Sequence, residues 1–173
     1  LGFTPSDGLI MGTRSVDIDF GIIFFLTETL GYSQDAVNTL LNKESGLLGL
    51  TGYTDLRDIQ QAAAAGDSSC QLAMEMMAYR IRKYIGAYTA AMNGLDALIF
   101  TAGMGTHSAE LRQMVCADMD VFGIHLDQSL NTLPSRGNRA IHHEDSRVQI
   151  WVIPTDEELE IARQTYDLLE GSP

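Results

Sequence analysis

The chain has 173 residues, an apolar fraction of 45% and 16 glycines, a composition that suits an α/β chain with a sizeable core. Its formal net charge of −12, spread along the sequence, excludes non-specific nucleic-acid binding, which needs a positive surface to displace counterions. No apolar run approaches the roughly 20 residues of a membrane span, so no membrane partner is expected.

The first residues carry no signal-peptide pattern. Cys70 and Cys116 lie in helical patterns without metal-ligand spacing and with no evident base beside them, so both are expected to be buried thiols in a reducing, cytoplasmic setting. Leu1 stands where a methionine would begin a chain, inside a motif-like run, so the sequence is expected to be a piece of a longer one.

Leu1 to Asp17 is glycine-rich and irregular. From Asp19 the pattern turns helical, with Ile22, Ile23, Leu26 and Leu30 at helix spacing and Gly31 as the stop. Ser33 is placed to cap the next helix, whose apolar face is Ala36, Val37, Leu40 and Leu41. Ser45 to Thr54 reads as a turn-rich connector, and Asp55 to Ala65 as a short helix stopped by Gly66. The longest helix is predicted from about Ser69 to Met92. Met74, Met77, Ile81, Tyr84, Ile85, Tyr88 and Met92 form a stripe there that reads as core.

Asn93-Gly94 then delivers the chain to a buried strand, Ala97 to Phe100. A turn with Gly103 and Gly105 follows, and a helix opens at Ser108 with Glu110 in its first turn. Beyond it come a short extended piece, Gly123 to Leu126, and a polar loop. Val148 to Ile153 is a second apolar strand, ended by Pro154. Thr155-x-x-Glu158 has capping-box spacing for a last helix, with Leu159, Ala162, Tyr166 and Leu169 on one face. This order of helices and strands argues α/β with a mainly parallel sheet.

Several residues have the chemistry of a site. Glycine lets backbone approach a ligand, and the Gly103–Gly105 turn before a helix suits a nucleotide's phosphate or ribose edge, although such turns also merely connect elements. Arg14, in Met-Gly-Thr-Arg-Ser, carries a planar fork of donors that matches carboxylate and phosphoryl oxygens; it could equally be a surface arginine. Glu157, past a strand end, is placed to hold Mg²⁺ directly or through water, or simply to complement the helix dipole. Asp55-Leu56-Arg57-Asp58 opens a helix and can contact a purine or ribose, or pair within itself. His142-His143 with Glu144 and Asp145 has metal-ligand types, but neighbouring strand residues face opposite ways and a solvated turn is the expectation.

Taken in order, these residues fall into blocks. They are Gly2-Phe3-Thr4-Pro5, Met11 to Ser15, Leu41-Asn42-Lys43-Glu44-Ser45-Gly46-Leu47-Leu48-Gly49, and Leu56-Arg57-Asp58-Ile59. Tyr79-Arg80-Ile81 with Lys83 to Tyr88, Phe100 to Gly105, and Val152 to Leu159 complete them. The series closely resembles consecutive blocks of the acetate and propionate kinases, over nearly the whole chain but only the C-terminal portion of the family.

The resemblance implies a partial actin-like, sugar-kinase and Hsp70-type ATPase fold (ribonuclease H-like). Residues 1–154 would be the C-terminal nucleotide-binding domain, and 155–173 a terminal helix that packs on the family's N-terminal domain. It implies phosphoryl transfer between ATP and acetate, giving acetyl phosphate and ADP, with Mg²⁺, in a homodimer. By resemblance, Arg14 binds the carboxylate or acyl phosphate and stabilises the transferring phosphoryl. Asp55, Leu56 and Arg57, with Gly103, Met104, Gly105, Thr106 and His107, meet the nucleotide. Pro5 lines the pocket for the substrate methyl, and Glu157 is associated with the metal.

The chain departs from the family pattern in three places. Val16 stands where glycine is usual, which implies a different backbone path after Arg14. Thr106-His107 replaces Glu-Asn, and Asp156 replaces Asn. A propionate-preferring kinase, an ATP-binding module without catalytic competence, and a dimerisation scaffold that binds no nucleotide are the alternative readings.

Overall fold

The computed structural model describes residues 7–134 and 137–171. It forms two compact units, Leu1–Ala91 and Met92–Pro173, each with its own apolar core.

In the first unit a loop over residues 7–20 leads to α1 (Gly21–Phe24), which widens into a π-helical turn, Phe25–Thr29. Gly31 ends it with φ +72°. α2 (Gln34–Lys43) opens on the expected cap, with Ser33 Oγ accepting from Ala36 N at 3.2 Å. The expected connector from Ser45 contains instead a helix, α3 (Gly46–Thr51). Its first free N–H groups, on Leu47 and Leu48, donate to the Met11 and Gly12 carbonyls at 2.9 and 2.8 Å. A tertiary partner thus replaces the missing side-chain cap, which is why local glycine content misled.

α4 (Leu56–Ala64) is capped by Asp55 and followed by Gly66 at φ +97°. α5 (Ser68–Met92) buries Cys70, Ala73, Met74, Met77 and Ala78, which recur at i, i+3, i+4, i+7 and i+8; Leu47, Ile59 and Ala63 are also buried in this unit. The apolar stripe does not stay buried beyond there. Ile81, Tyr84 and Ile85 are half-buried, and Tyr88 and Met92 are exposed, so the predicted core holds only for the helix's first half.

The second unit holds a three-stranded mixed sheet in the order β1-β3-β2, flanked by helices. β1 (Ala97–Phe100) pairs in parallel with β3 (Gln149–Val152), and β2 (Arg139–Ala140) pairs antiparallel with β3. β2 falls in the stretch read as loop. The register sets Leu98 beside Ile150 and Phe100 beside Val152 on the core face; Ile99 and Trp151 share the other face. β1 is therefore not the buried strand predicted. It is an edge strand with one open face, and Ile99 is 52% exposed.

The glycine turn is likewise helical: α6 (Ala102–His107) runs straight to Ser108. Neither Gly103 nor Gly105 has positive φ, whereas Ala102 does, at +56°. Gly105 is required for packing, because a Cβ there would lie 3.3 Å from the Phe100 carbonyl carbon. α7 (Ala109–Cys116) has the predicted Ser108 cap, its Oγ accepting from Leu111 N. It ends at Cys116, and a 3₁₀ turn, Asp120–Phe122, follows. α8 (Gln128–Thr132) lies in the region read as loop.

The last helix, α9 (Glu157–Leu169), begins one residue later than its predicted cap implies. Asp156, not Thr155, is the N-cap, and its carboxylate accepts from Leu159 N at 3.0 Å. The expected Thr155–Glu158 capping box is therefore absent, and Glu158 is an ordinary first-turn acid. Aspartate caps as well as the asparagine usual in the resembled family, so the replacement keeps the function of the position. Asp156→Ala should cost about 1 kcal/mol, while Glu158→Ala should stay within about 0.5 kcal/mol; paired thermal melts check the difference. Leu159, Ala162, Tyr166 and Leu169 are all exposed, and α9 has no buried residue. No helix among the described residues is long and apolar enough to cross a membrane.

Candidate functional site

Arg14 sits on a loop held by four backbone hydrogen bonds. Ser15 N donates to Leu41 O and Ser45 N to Thr13 O, both at 2.9 Å, beside the bonds from Leu47 and Leu48 to Met11 and Gly12. Thr13 Oγ1 donates to Asn42 O at 3.0 Å. Gly46, at φ +62°, presses so closely that a Cβ would lie 2.3 Å from Met11 O and 2.8 Å from Arg14 O. The Arg14 side chain remains exposed. The backbone is thus fixed while the guanidinium is exposed, a group whose planar fork of donors matches an anion.

Val16, two residues on, is in the left-handed region at φ +47° with its side chain buried. That is a conformation suited to glycine, and a β-branched residue in it costs on the order of 1–3 kcal/mol. Burial of the valine side chain offsets this strain. Asp17 completes the clamp. Its carboxylate accepts from Gly8 N at 3.0 Å and Tyr84 OH at 3.2 Å, and pairs with Arg80. Arg80 Nε also donates to Gly8 O at 3.2 Å. The loop is thus tied to α5 as well as to α3.

Asp55, Leu56 and Arg57 lie in the same unit. A Cβ on Gly12 would come 3.7 Å from Thr54 O, so the Arg14 loop runs beside the residue preceding Asp55. Asp55 accepts from Arg57 N at 2.9 Å and from Arg57 Nε at 3.0 Å. These hydrogen bonds, with the adjacent positive charge, hold the Asp55 carboxyl down at about 2. Both polar heads are solvent-accessible, whereas Leu56 is buried and packs in the core, so a ligand contact from Leu56 falls to its backbone.

In the second unit, Thr106 and His107 border a cavity of about 500 Å³, which Arg112, Asn131 and Arg139 also line. Thr106 Oγ1 is buried there without a hydrogen-bond partner among the described residues. A buried hydroxyl is costly to leave unmade, so its position fits a polar ligand atom, as a nucleotide would supply. Gly103 and Met104 are exposed on α6, and a Cβ on Gly103 would meet nothing within 4 Å.

Glu157 is exposed in the first turn of α9. The described residues contain no cluster of three metal-ligating side chains. His142 and His143 form no such cluster. His142 Nδ1 accepts from Ile150 N, and His143 Nδ1 accepts from Asp145 N, both at 3.2 Å. Burial pushes the Cys116 thiol up to about 12 and also raises Cys70, so neither is a nucleophile at neutral pH. Pro5 lies outside the described residues.

Sequence reasoning missed Arg112, which is 1% exposed at the centre of the second unit. Its signal was present. Ser108, Leu111, Arg112, Val115 and Cys116 follow helix periodicity, which places the arginine on the buried face of α7.

A family model described as the acetokinase family matches residues 1–163. An acetate kinase from Flavobacterium johnsoniae is 55% identical over 171 residues, covering 99% of this chain and 43% of that protein. One from Carboxydothermus hydrogenoformans is 51% identical over 170 residues, covering 98% of this chain and 42% of that protein. The crystal structure of Porphyromonas gingivalis acetate kinase superposes with a TM-score of 0.89 at 45% identity, covering 98% of this chain and 43% of that one. A propionate kinase from Francisella tularensis gives 0.86 at 40% identity, covering 94% and 41%. The chain spans less than half the length of these relatives.

Proposed function

The chain belongs to the acetokinase family, and from that premise we propose that it is the C-terminal, nucleotide-binding part of an acetate kinase. The whole protein transfers phosphoryl between ATP and acetate, giving acetyl phosphate and ADP. The observation that carries the reading furthest is the Arg14 loop, whose backbone is hydrogen-bonded on both sides while its guanidinium is left free.

Arg14 donates hydrogen bonds to the carboxylate or acyl phosphate and to the phosphoryl group in flight, offsetting their negative charge. Its backbone anchor is held, which lessens the reorganisation that opposes the transfer. Gly103 to His107 form one wall for the nucleoside, with Thr106 Oγ1 offering a hydrogen bond. Asp55, Arg57 and the Leu56 backbone form a second contact, and Pro5 lines the acyl pocket. Glu157 would hold Mg²⁺, which neutralises charge on the phosphates when bound.

Residues 1–154 make up the nucleotide-binding domain, and 155–173 a helix that packs on the N-terminal domain of the whole protein, a reading supported by the fully exposed α9. Two free, buried cysteines suit a reducing cytoplasm, and the whole protein is a homodimer.

Glu157 supplies the test of the metal assignment. In the full-length protein, Glu157→Ala should raise the Mg²⁺ concentration required for activity and depress turnover, with the melting temperature nearly unchanged. A normal Mg²⁺ requirement in this variant would remove Glu157 from the site and leave it as a dipole-compensating acid.

A further inference from the structure

We propose that Arg112 and Asn131 are a positioning pair that sets the Gly103–His107 segment for nucleotide binding, an inference that rests on the nucleotide reading of that segment. The pair makes no use of a carboxylate. Arg112 Nη1 donates to Gly105 O at 2.8 Å and to Thr106 O at 2.9 Å, the last carbonyls of α6. Nε donates to Asn131 Oδ1 at 2.7 Å, and Nη2 to Asn131 O at 2.9 Å. Asn131 Nδ2 in turn donates to Ala109 O at 2.9 Å, closing the circuit onto the start of α7. Both side chains are 1% exposed.

Each contact has a physical purpose. The last four carbonyls of a helix have no partner within it, and α6 is too short to hold its own end. A guanidinium meets two of them with one edge and grips α8 through the other, which a lysine ammonium cannot do. Burial, with Arg139 nearby, pulls the Arg112 pKa down to about 10, so the group is still charged at neutral pH. Among the described residues this buried charge is bonded only to neutral acceptors, and what it fixes is the register of Gly105 and Thr106. Thr106 borders the same cavity as Arg112 and Asn131, and its Oγ1 is buried there without a partner among the described residues.

The test uses the full-length protein and a fluorescent ribose-labelled ATP, with KM values for ATP and acetate measured alongside. Arg112→Lys and Asn131→Ala should each weaken nucleotide binding and raise KM for ATP tenfold or more, with KM for acetate changed less than twofold. Asn131→Asp keeps the acceptor for Arg112 Nε but loses the donor to Ala109 O, and should recover only part of the loss. If Arg112→Lys does not fold, the two Asn131 variants still decide the matter.

Unchanged nucleotide affinity in Asn131→Ala, together with weakened binding in His107→Ala, would overturn the pair while keeping the nucleotide reading. Equal losses for ATP and acetate, following the loss of thermal stability, would make the pair merely structural and overturn it. A parent protein that binds no nucleotide would overturn both.

Discussion

Arg14→Ala, made in the full-length protein, should lower turnover by about a hundredfold or more while leaving ATP affinity nearly unchanged. The split follows from what the structure does and does not do with this residue. Its backbone is held by the Leu41, Ser45, Leu47 and Leu48 contacts of its loop, none of which involves the guanidinium. Truncation therefore removes only the fork and should leave the fold intact. In the proposed role the fork acts on charge that develops during phosphoryl transfer, so its loss should be felt in the transition state more than in the ground state. Steady-state kinetics and a thermal melt on the same preparation check both halves. Near-normal turnover would make Arg14 a spectator.

Gly46→Ala should be far more damaging to the fold than its size suggests. The new Cβ would meet Met11 O at 2.3 Å and Arg14 O at 2.8 Å, both backbone atoms that cannot swing aside, and φ is +62° besides. Either α3 or the Arg14 loop must move, at a cost of roughly 3 kcal/mol or more. Turnover should fall with it, because the displaced segment carries Arg14. Gly52→Ala is the control: φ there is +81°, but a Cβ meets nothing within 4 Å. That variant should lose only about 1 kcal/mol. Equal melting temperatures for the two variants would refute the close-approach explanation.

What was legible in the sequence was mostly what local chemistry decides. Ser33 and Ser108 cap where they should, Gly31 and Gly66 stop their helices, and the two apolar strands pair as parallel neighbours. What escaped was decided by tertiary partners. α3 exists because loop carbonyls satisfy its first N–H groups, a fact no window of glycines and leucines contains.

The same applies to the site. Arg14 and the Gly103–His107 segment stood out by residue type and resemblance, but Arg112 did not, because a charged residue in an apolar stripe is easily read as an exception to it. Its acceptors, Gly105, Thr106 and Asn131, come together only in the folded unit. Thr155 lost its capping role to Asp156 by one residue of register, a choice between two adequate caps. Val16 is the reverse case. Valine in place of the usual glycine implies a different backbone path after Arg14, yet the structure holds Val16 at φ +47°, in the left-handed region that glycine favours.

The central claim is that this chain forms the nucleotide-binding part of an enzyme that phosphorylates a short-chain carboxylate. The most direct measurement is acyl-phosphate formation by the full-length protein, trapped as the hydroxamate, with ATP, Mg²⁺ and either acetate or propionate. Acetyl hydroxamate should form in an ATP-dependent manner, and more efficiently than the propionyl product. Tight binding of ATP with no hydroxamate from either acid would contradict the claim and leave a nucleotide-binding module without catalysis.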